Sequence, residues 1–197
     1  IDNKKAHNLL EAIQRGGLRL ERLVNDFMLM QQIEAGMAAK LFDTRAKLVV
    51  LSEMVNRYVE SQEEWFTAEK VRLQVIDRSE GASVQVYEPH VLDILNRLVT
   101  NAVKFSEQSP EVDIVLYPEL EMLVTEVRDR GIGMDVQKVR EAIDIFGQID
   151  RDKLEQQGGG LGLSISNRYA KINKGRLEFA NRTGGGSSVS LYLPKVK

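Results

Sequence analysis

The amino-acid sequence predicts an α+β fold: a two-layer α/β sandwich whose mixed sheet of about five strands is covered on one face by about three helices, behind a long N-terminal helix. Three observations carry that expectation. Apolar residues step by three and four along a proline-free N-terminal stretch; short alternating apolar runs then interleave with helical patterns; and most strand-to-strand connections are of hairpin length. There is no internal repeat and no low-complexity tail.

From Asn8 to Met37 the apolar positions Leu20, Leu23, Val24, Phe27, Met30, Ile33 and Met37 form one helical stripe, with Arg19, Glu21, Arg22, Asp26 and Glu34 on the other faces. Gly36 contributes to ending this helix, and Lys40 to Asp43 are expected to be a short connector. Leu48, Leu51, Val55, Tyr58 and Val59 predict a second helix from Thr44 to Ala68. Val71, Leu73 and Val75 read as a strand, with Val84 and Val86 as its hairpin partner across Ser79 to Ala82. Pro89 suits the first turn of a helix running to Phe105, because proline lacks the N–H that the first turn leaves unpaired. Strands follow at Val112 to Tyr117 and Met122 to Arg128, joined at Pro118; helices follow at Asp135 to Ile145 and Leu161 to Ile172. Arg176 to Ala180 and Ser188 to Leu193 close the chain as strands around Thr183 to Gly186.

Composition narrows the function classes. The 197 residues carry 27 Lys plus Arg against 29 Asp plus Glu, so there is no basic stripe for wrapping nucleic acid. Zero cysteines exclude a disulfide scaffold and a thiolate metal site, and the two histidines, His7 and His90, are too far apart in sequence to suggest a zinc cluster. No apolar run approaches the ~18–20 residues that span a bilayer. The expected location is cytoplasmic, with no membrane contact by this segment and any anchor lying upstream of Ile1.

Three separated pieces carry candidate chemistry. On the helix after Pro89, spacings of four and three put Arg97, Asn101 and Lys104 on one face. An asparagine amide oxygen is a neutral hard ligand for Mg²⁺ otherwise held by phosphates and water, and a lysine balances phosphate charge. Taken alone, such residues on a helix are ordinarily just solvated. The second piece is Asp129-Arg130-Gly131-Ile132-Gly133-Met134, directly after a strand, where glycines allow close backbone approach to a flat ligand. A carboxylate at that strand end can accept a hydrogen bond from an exocyclic amine; the plainer reading is a helix-capping Asp. The third is Gly158-Gly159-Gly160-Leu161-Gly162-Leu163 opening a helix, whose uncovered N–H groups suit an anion. It fits neither a dinucleotide fingerprint nor a Gly-Lys-Ser/Thr phosphate loop, and its leucines argue against a flexible linker.

Together these residues resemble the ATP-binding domain of sensor histidine kinases, in the superfamily that includes gyrase, Hsp90 and MutL. Leu98 to Phe105 match the N box, Asp129 to Met134 the first glycine box, Phe146 the F box, Gly158 to Leu163 the second glycine box, and Gly186 to Pro194 the closing strand. The agreement runs from Lys40 to the end, and Leu18 to Gly36 resembles the second helix of that family's dimerisation hairpin. The implied division is 1–39, a hairpin helix without its acceptor partner, and 40–197, the ATP-binding catalytic domain.

The resemblance implies ATP and Mg²⁺ as cofactors. Asn101 would hold the metal bridging the phosphates, Lys104 would contact phosphate, and Asp129 would receive the adenine amino group in a pocket shaped by Gly131 and Gly133. Phe146 and Arg151 would lie on a lid, the arginine approaching the γ-phosphate; Gly158, Gly160 and Gly162, with Leu161 and Leu163, would close it over the triphosphate. Ser187 stands where the family often has a threonine beside the base. High mobility without nucleotide is expected from Gly147 to Gly160, a polar, glycine-rich run. Phosphoryl transfer depends chiefly on positioning and charge stabilisation, so this set suits it without a conventional base.

Two departures stand out. Four residues before Asn101 the family usually has another asparagine; here Arg97 makes a candidate phosphate partner, a mark of a weakened site, or a surface arginine beside a carboxylate. No residue is assigned a certain catalytic role; Arg97 and Arg151 are candidates. Secondly, His7 is followed by Asn8-Leu9-Leu10 and lacks the acceptor pattern, while His90 reads as structural or exposed. The leading expectation is a histidine kinase part that binds Mg²⁺–ATP and phosphorylates a histidine outside this chain, for relay to the aspartate of a response regulator receiver domain. A homodimer through the first helix is expected in the full-length protein. The rival is a non-catalytic nucleotide-sensing or scaffolding module of the same fold. A gyrase- or MutL-type ATPase is disfavoured, because no acid occupies position 97 to activate water.

Overall fold

The computed structural model describes residues 3–106, 110–145 and 161–196. Helix α1 (Asn3–Glu34) begins the chain. Its predicted stripe divides: Met30 and Ile33 are buried against the rest of the protein, whereas Leu20, Leu23, Val24 and Phe27 remain exposed. Gly36, in the left-handed region at φ +74°, turns the chain out of α1, and α2 (Met37–Arg45) follows at once. The expected connector Lys40 to Asp43 is thus helical.

The single helix predicted over Thr44 to Ala68 is three elements: β1 (Lys47–Val50), α3 (Leu51–Ser61) and α4 (Glu63–Ala68). Leu48 lies in the strand, 61% exposed, while Leu51, Met54, Val55 and Tyr58 of α3 enter the core. Next come β2 (Arg72–Asp77) and β3 (Ser83–Val86), which do not form the predicted hairpin. Instead, β3 pairs antiparallel with β1, and β2 runs parallel to β4 (Glu111–Glu119). Helix α5 (Glu88–Lys104) starts with proline in its first turn, as predicted.

Strand β4 and β5 (Met122–Asp129) form the expected hairpin, turning at Leu120–Glu121 with Pro118 still paired to Leu123. Helices α6 (Val136–Ile145) and α7 (Gly162–Ile172) and strands β6 (Arg176–Asn181) and β7 (Ser187–Val196) complete the chain. The sheet has seven strands rather than about five. Its order is β1-β3-β7-β5-β4-β2, with β6 also on β7. Helix α5 lies over β4 and β5, α7 over β6 and β7, and α6 beside β6, giving the helical layer. The other sheet face carries Tyr117, Val124, Glu126, Arg128 and Tyr192 in register.

The α5 inner face is why the sandwich holds. His90, Val91, Ile94, Leu95, Leu98, Val99 and Ala102, spaced by three and four, are all buried, and each large aliphatic side chain contributes about 1.5–3 kcal/mol. This leaves Asp93, Arg97, Asn101 and Lys104 along the outer flank of the same helix.

His90 is structural. It is buried, stacks on Tyr169 at 4.1 Å between ring centroids, meets Tyr87 edge-on at 4.7 Å, and has Nδ1 3.3 Å from the Asn173 amide nitrogen. Burial pulls its pKa from 6.5 down to about 4, so the folded protein keeps the ring neutral. Between those values the unfolded chain takes up a proton that the folded chain refuses. This contribution to stability is therefore complete above pH 6.5 and falls as the pH drops toward 4, by about 3 kcal/mol in all. Denaturant unfolding followed across that range should show the acid loss in the natural chain and a shallower slope in His90→Gln.

Candidate functional site

The described parts of the three chemistry-bearing pieces meet along α5. At its C-terminal end, the Phe105 carbonyl accepts the Ile132 N–H at 3.3 Å, and a Cβ on Gly131 would overlap that same carbonyl. Nearer its middle, Arg97 Nη1 lies 3.4 Å from where a Cβ on Gly162 would sit, at the start of α7. Asn101 falls one turn from Arg97 and one turn from Phe105, between the two glycine segments. Its half-buried amide engages no partner among the described residues. Lys104 is exposed, its ammonium 5.0 Å from the centre of the Phe105 ring.

Asp129 ends β5 with only 7% of its surface exposed. Its Oδ1 accepts the N–H of Gly131 at 2.8 Å and of Ser187 at 3.0 Å, which fixes the carboxylate between the β5 turn and the start of β7. Two backbone donors on one oxygen leave the other oxygen's lone pairs for a further donor. Arg182 clamps the Asp129 carbonyl through Nη1 at 2.7 Å, and Asn181 bridges both the N–H and the carbonyl of Met134 at 2.8 Å each. Gly186, at φ +85°, lets β7 run against Asp129: a Cβ there would overlap the Asp129 carbonyl oxygen. Sequence reasoning did not single out Arg182 or Asn181, because their partners are backbone groups about fifty residues away.

Two clefts open on the surface. One of about 310 Å³ borders the glycine turns beyond Asp129, lined by Ile132, Gly133, Met134, Asn181, Arg182 and Gly186. The other, about 330 Å³, lies away from this line, between Arg45, Lys47, Tyr87, Glu88, Pro89 and Leu92. The α5 line and the first of these clefts meet at the Gly131–Gly133 turn, Gly131 against Phe105 and Gly133 in the cleft wall. Leu161 and Leu163 are half-buried against the core, which accounts for leucines within a glycine-rich run. Phe146, Arg151, Gly158 and Gly160, together with the expected lid from Gly147, lie outside the described residues.

Arg97 is no surface arginine. Its side chain is 15% exposed; Nε donates to Asp93 at 2.6 Å and Nη2 to Asp26, on α1, at 2.8 Å. Burial alone would lower its pKa, but the hydrogen bonds to Asp26 and Asp93 outweigh that and hold the guanidinium above its ordinary value. His7 is exposed on α1, 3.2 Å from Glu11. Among the described residues no group of three or more His, Cys, Asp and Glu could hold a metal ion, and no helix is long and apolar enough to cross a membrane.

Residues 86–197, more than half of the chain, match the family described as histidine kinase-, DNA gyrase B- and HSP90-like ATPase. The chain belongs to this family. Within it, the match is to the ATP-binding domain of sensor histidine kinases. The circadian input-output histidine kinase CikA of Synechococcus elongatus is 28% identical over 98% of this chain and 25% of its own length. The sensor histidine kinase RppB of Synechocystis sp. is 27% identical over 95% of this chain and 41% of its own. The chain thus spans less than half of either relative. Among solved structures, full-length ShkA in complex with AMPPNP superposes with a TM-score of 0.75 at 21% identity, covering 97% of this chain and 39% of that one. That superposition includes the long helix α1 as well as the sheet and its helices.

The residues present fit an adenine nucleotide. A buried carboxylate held by backbone donors, a glycine turn that a side chain would block, and an unengaged amide one helical turn from the residues that touch each glycine segment suit a base, a sugar-phosphate and a phosphate-bound cation in that order.

Proposed function

We propose that this chain is the ATP-binding catalytic part of a sensor histidine kinase. It binds Mg²⁺–ATP and passes the γ-phosphoryl group to a histidine outside the chain, for relay to a response regulator aspartate. The observation that carries this reading is the alignment of Gly162, Asn101 and the Asp129–Gly131 turn along one flank of α5. Asp129 receives the adenine amino group beside Ser187; Gly131 and Gly133 let the ring approach the backbone; Asn101 supplies one neutral ligand to Mg²⁺, and phosphates supply others. Lys104 offsets phosphate charge, and Leu161, Gly162 and Leu163 open the helix whose N–H groups face the phosphates. Phe146, Arg151, Gly158 and Gly160 complete the set as lid residues. When bound, the metal neutralises charge between the phosphates; the chain's own residues bind and orient the nucleotide.

Residues 1–39 act as the second helix of a dimerisation hairpin, and residues 40–197 as the catalytic domain of a cytoplasmic kinase segment. The exposed Leu20, Leu23, Val24 and Phe27 on α1 support a homodimer in the full-length protein. Calorimetric titration with Mg²⁺ and a non-hydrolysable ATP analogue tests the binding. Radiolabelled ATP supplied to the full-length parent tests the transfer: an acid-labile, alkali-stable phosphoryl label is expected on histidine. One observation favours a second reading. Arg97, where the family usually has an asparagine, is held by two carboxylates. A nucleotide-sensing module would bind the analogue and give no phosphohistidine in the parent.

A further inference from the structure

Arg97 joins three elements. Through Nη2 it grips Asp26 of α1, through Nε it grips Asp93 of α5, and its Nη1 edge points at Gly162, where α7 begins. No acceptor among the described residues engages Nη1. Asp26 is 7% exposed, an expensive place for a carboxylate without a partner. A second ion pair, Arg168 to Glu34 at 2.8 Å, joins α7 to the last turn of α1. The docked end of α1 therefore brings two carboxylates to the two helices that flank the candidate phosphate site, Asp26 to Arg97 of α5 and Glu34 to Arg168 of α7.

We propose that Arg97 is a positioning residue shared between two anions, so that docking of α1 through Asp26 and binding of a nucleotide triphosphate beside Gly162 oppose one another. This rests on the nucleotide reading above. With α1 docked, Asp26 and Asp93 neutralise the guanidinium and weaken its pull on phosphate. A triphosphate at the start of α7 carries more charge than Asp26, draws the guanidinium toward Nη1's side, and leaves Asp26 buried without its cation. That loss drives α1 off the domain. Linkage makes the effect reciprocal: whatever factor the docked helix costs in nucleotide affinity, the nucleotide costs in helix docking. The rest of α1 would act as a lever, because Asp26 lies on its docked C-terminal part while the turns from Leu9 to Val24 stand exposed.

The absence of cysteine in the natural chain makes a direct test practicable. In the full 197-residue chain, spin labels at Gln14→Cys on α1 and Lys171→Cys on α7 report docking. Calorimetry reports affinity for Mg²⁺ with a non-hydrolysable ATP analogue, and separately for adenosine. Asp26→Asn is expected to bind the analogue about five-fold tighter or more, and adenosine unchanged, since only phosphates compete for Arg97. Saturating analogue should broaden and lengthen the label distance in the otherwise natural chain, and Arg97→Gln should abolish the difference made by Asp26→Asn. Should Asp26→Asn fail to fold, Glu34→Gln, at the more exposed bridge, carries the same comparison in the same direction. Equal analogue affinity in the natural and variant chains overturns the proposal, as does tightening of adenosine to the same degree, or a label distance indifferent to the analogue. Binding of neither probe to the natural chain overturns the nucleotide reading, and this coupling with it.

Discussion

Asp129→Asn should leave the fold intact and weaken nucleotide binding by about 10- to 150-fold. The asparagine carbonyl oxygen can still accept the N–H groups of Gly131 and Ser187, so both backbone segments keep their anchor. What disappears is the negative charge and one acceptor oxygen facing the site, replaced by an NH₂ that confronts the adenine amino group donor to donor. Hydrogen bonds to charged groups contribute about 1.5–3 kcal/mol, which sets the expected factor. Calorimetric titration of both proteins with the Mg²⁺-bound analogue, beside their circular dichroism, separates the cases. Equal affinities would remove Asp129 from the site; a lost fold would mean that the charge is structural.

Gly186→Ala should cost about 2–5 kcal/mol of stability, combining left-handed strain with overpacking against a backbone that cannot yield. Gly186 sits at φ +85°, and its added Cβ would overlap the Asp129 carbonyl and crowd the Arg130 Cα at 2.8 Å. Neither neighbour is the free end of a flexible side chain. The displaced segment is the one that holds Asp129, so nucleotide affinity should fall together with stability. Gly184, in the same turn at φ +97°, has nothing within 4 Å of its own added Cβ. Gly184→Ala therefore pays only the strain, about 1–2 kcal/mol, and keeps its affinity. Denaturant midpoints for the pair decide between steric and purely conformational control of this turn.

The described pieces of the candidate site were legible as local structure because each is local chemistry. Glycines that must turn or admit a neighbour, a proline opening α5, and an i, i+4 run of polar residues opposite a buried stripe all leave their marks within a few residues. The β4–β5 hairpin was equally readable, since both partners and their turn are contiguous. By contrast, Lys47–Val50 sits in an apolar pattern that also satisfies helical steps, and only pairing with β3 makes it a strand. The alternation in β2 says that one face is buried but not which strand lies beside it.

The sequence by itself determined the element types around the candidate site, the family, and the residue kinds proposed to face a nucleotide, because these depend on backbone preferences and side-chain chemistry over short stretches. Only the tertiary structure decided that β2 runs parallel to β4 and that the sheet has seven strands. It alone showed that Arg97 answers to Asp26, seventy-one positions earlier, as well as to its helical neighbour Asp93. Such pairings are chosen by the free energy of burying whole faces and charges together, a quantity that has no value until distant segments meet.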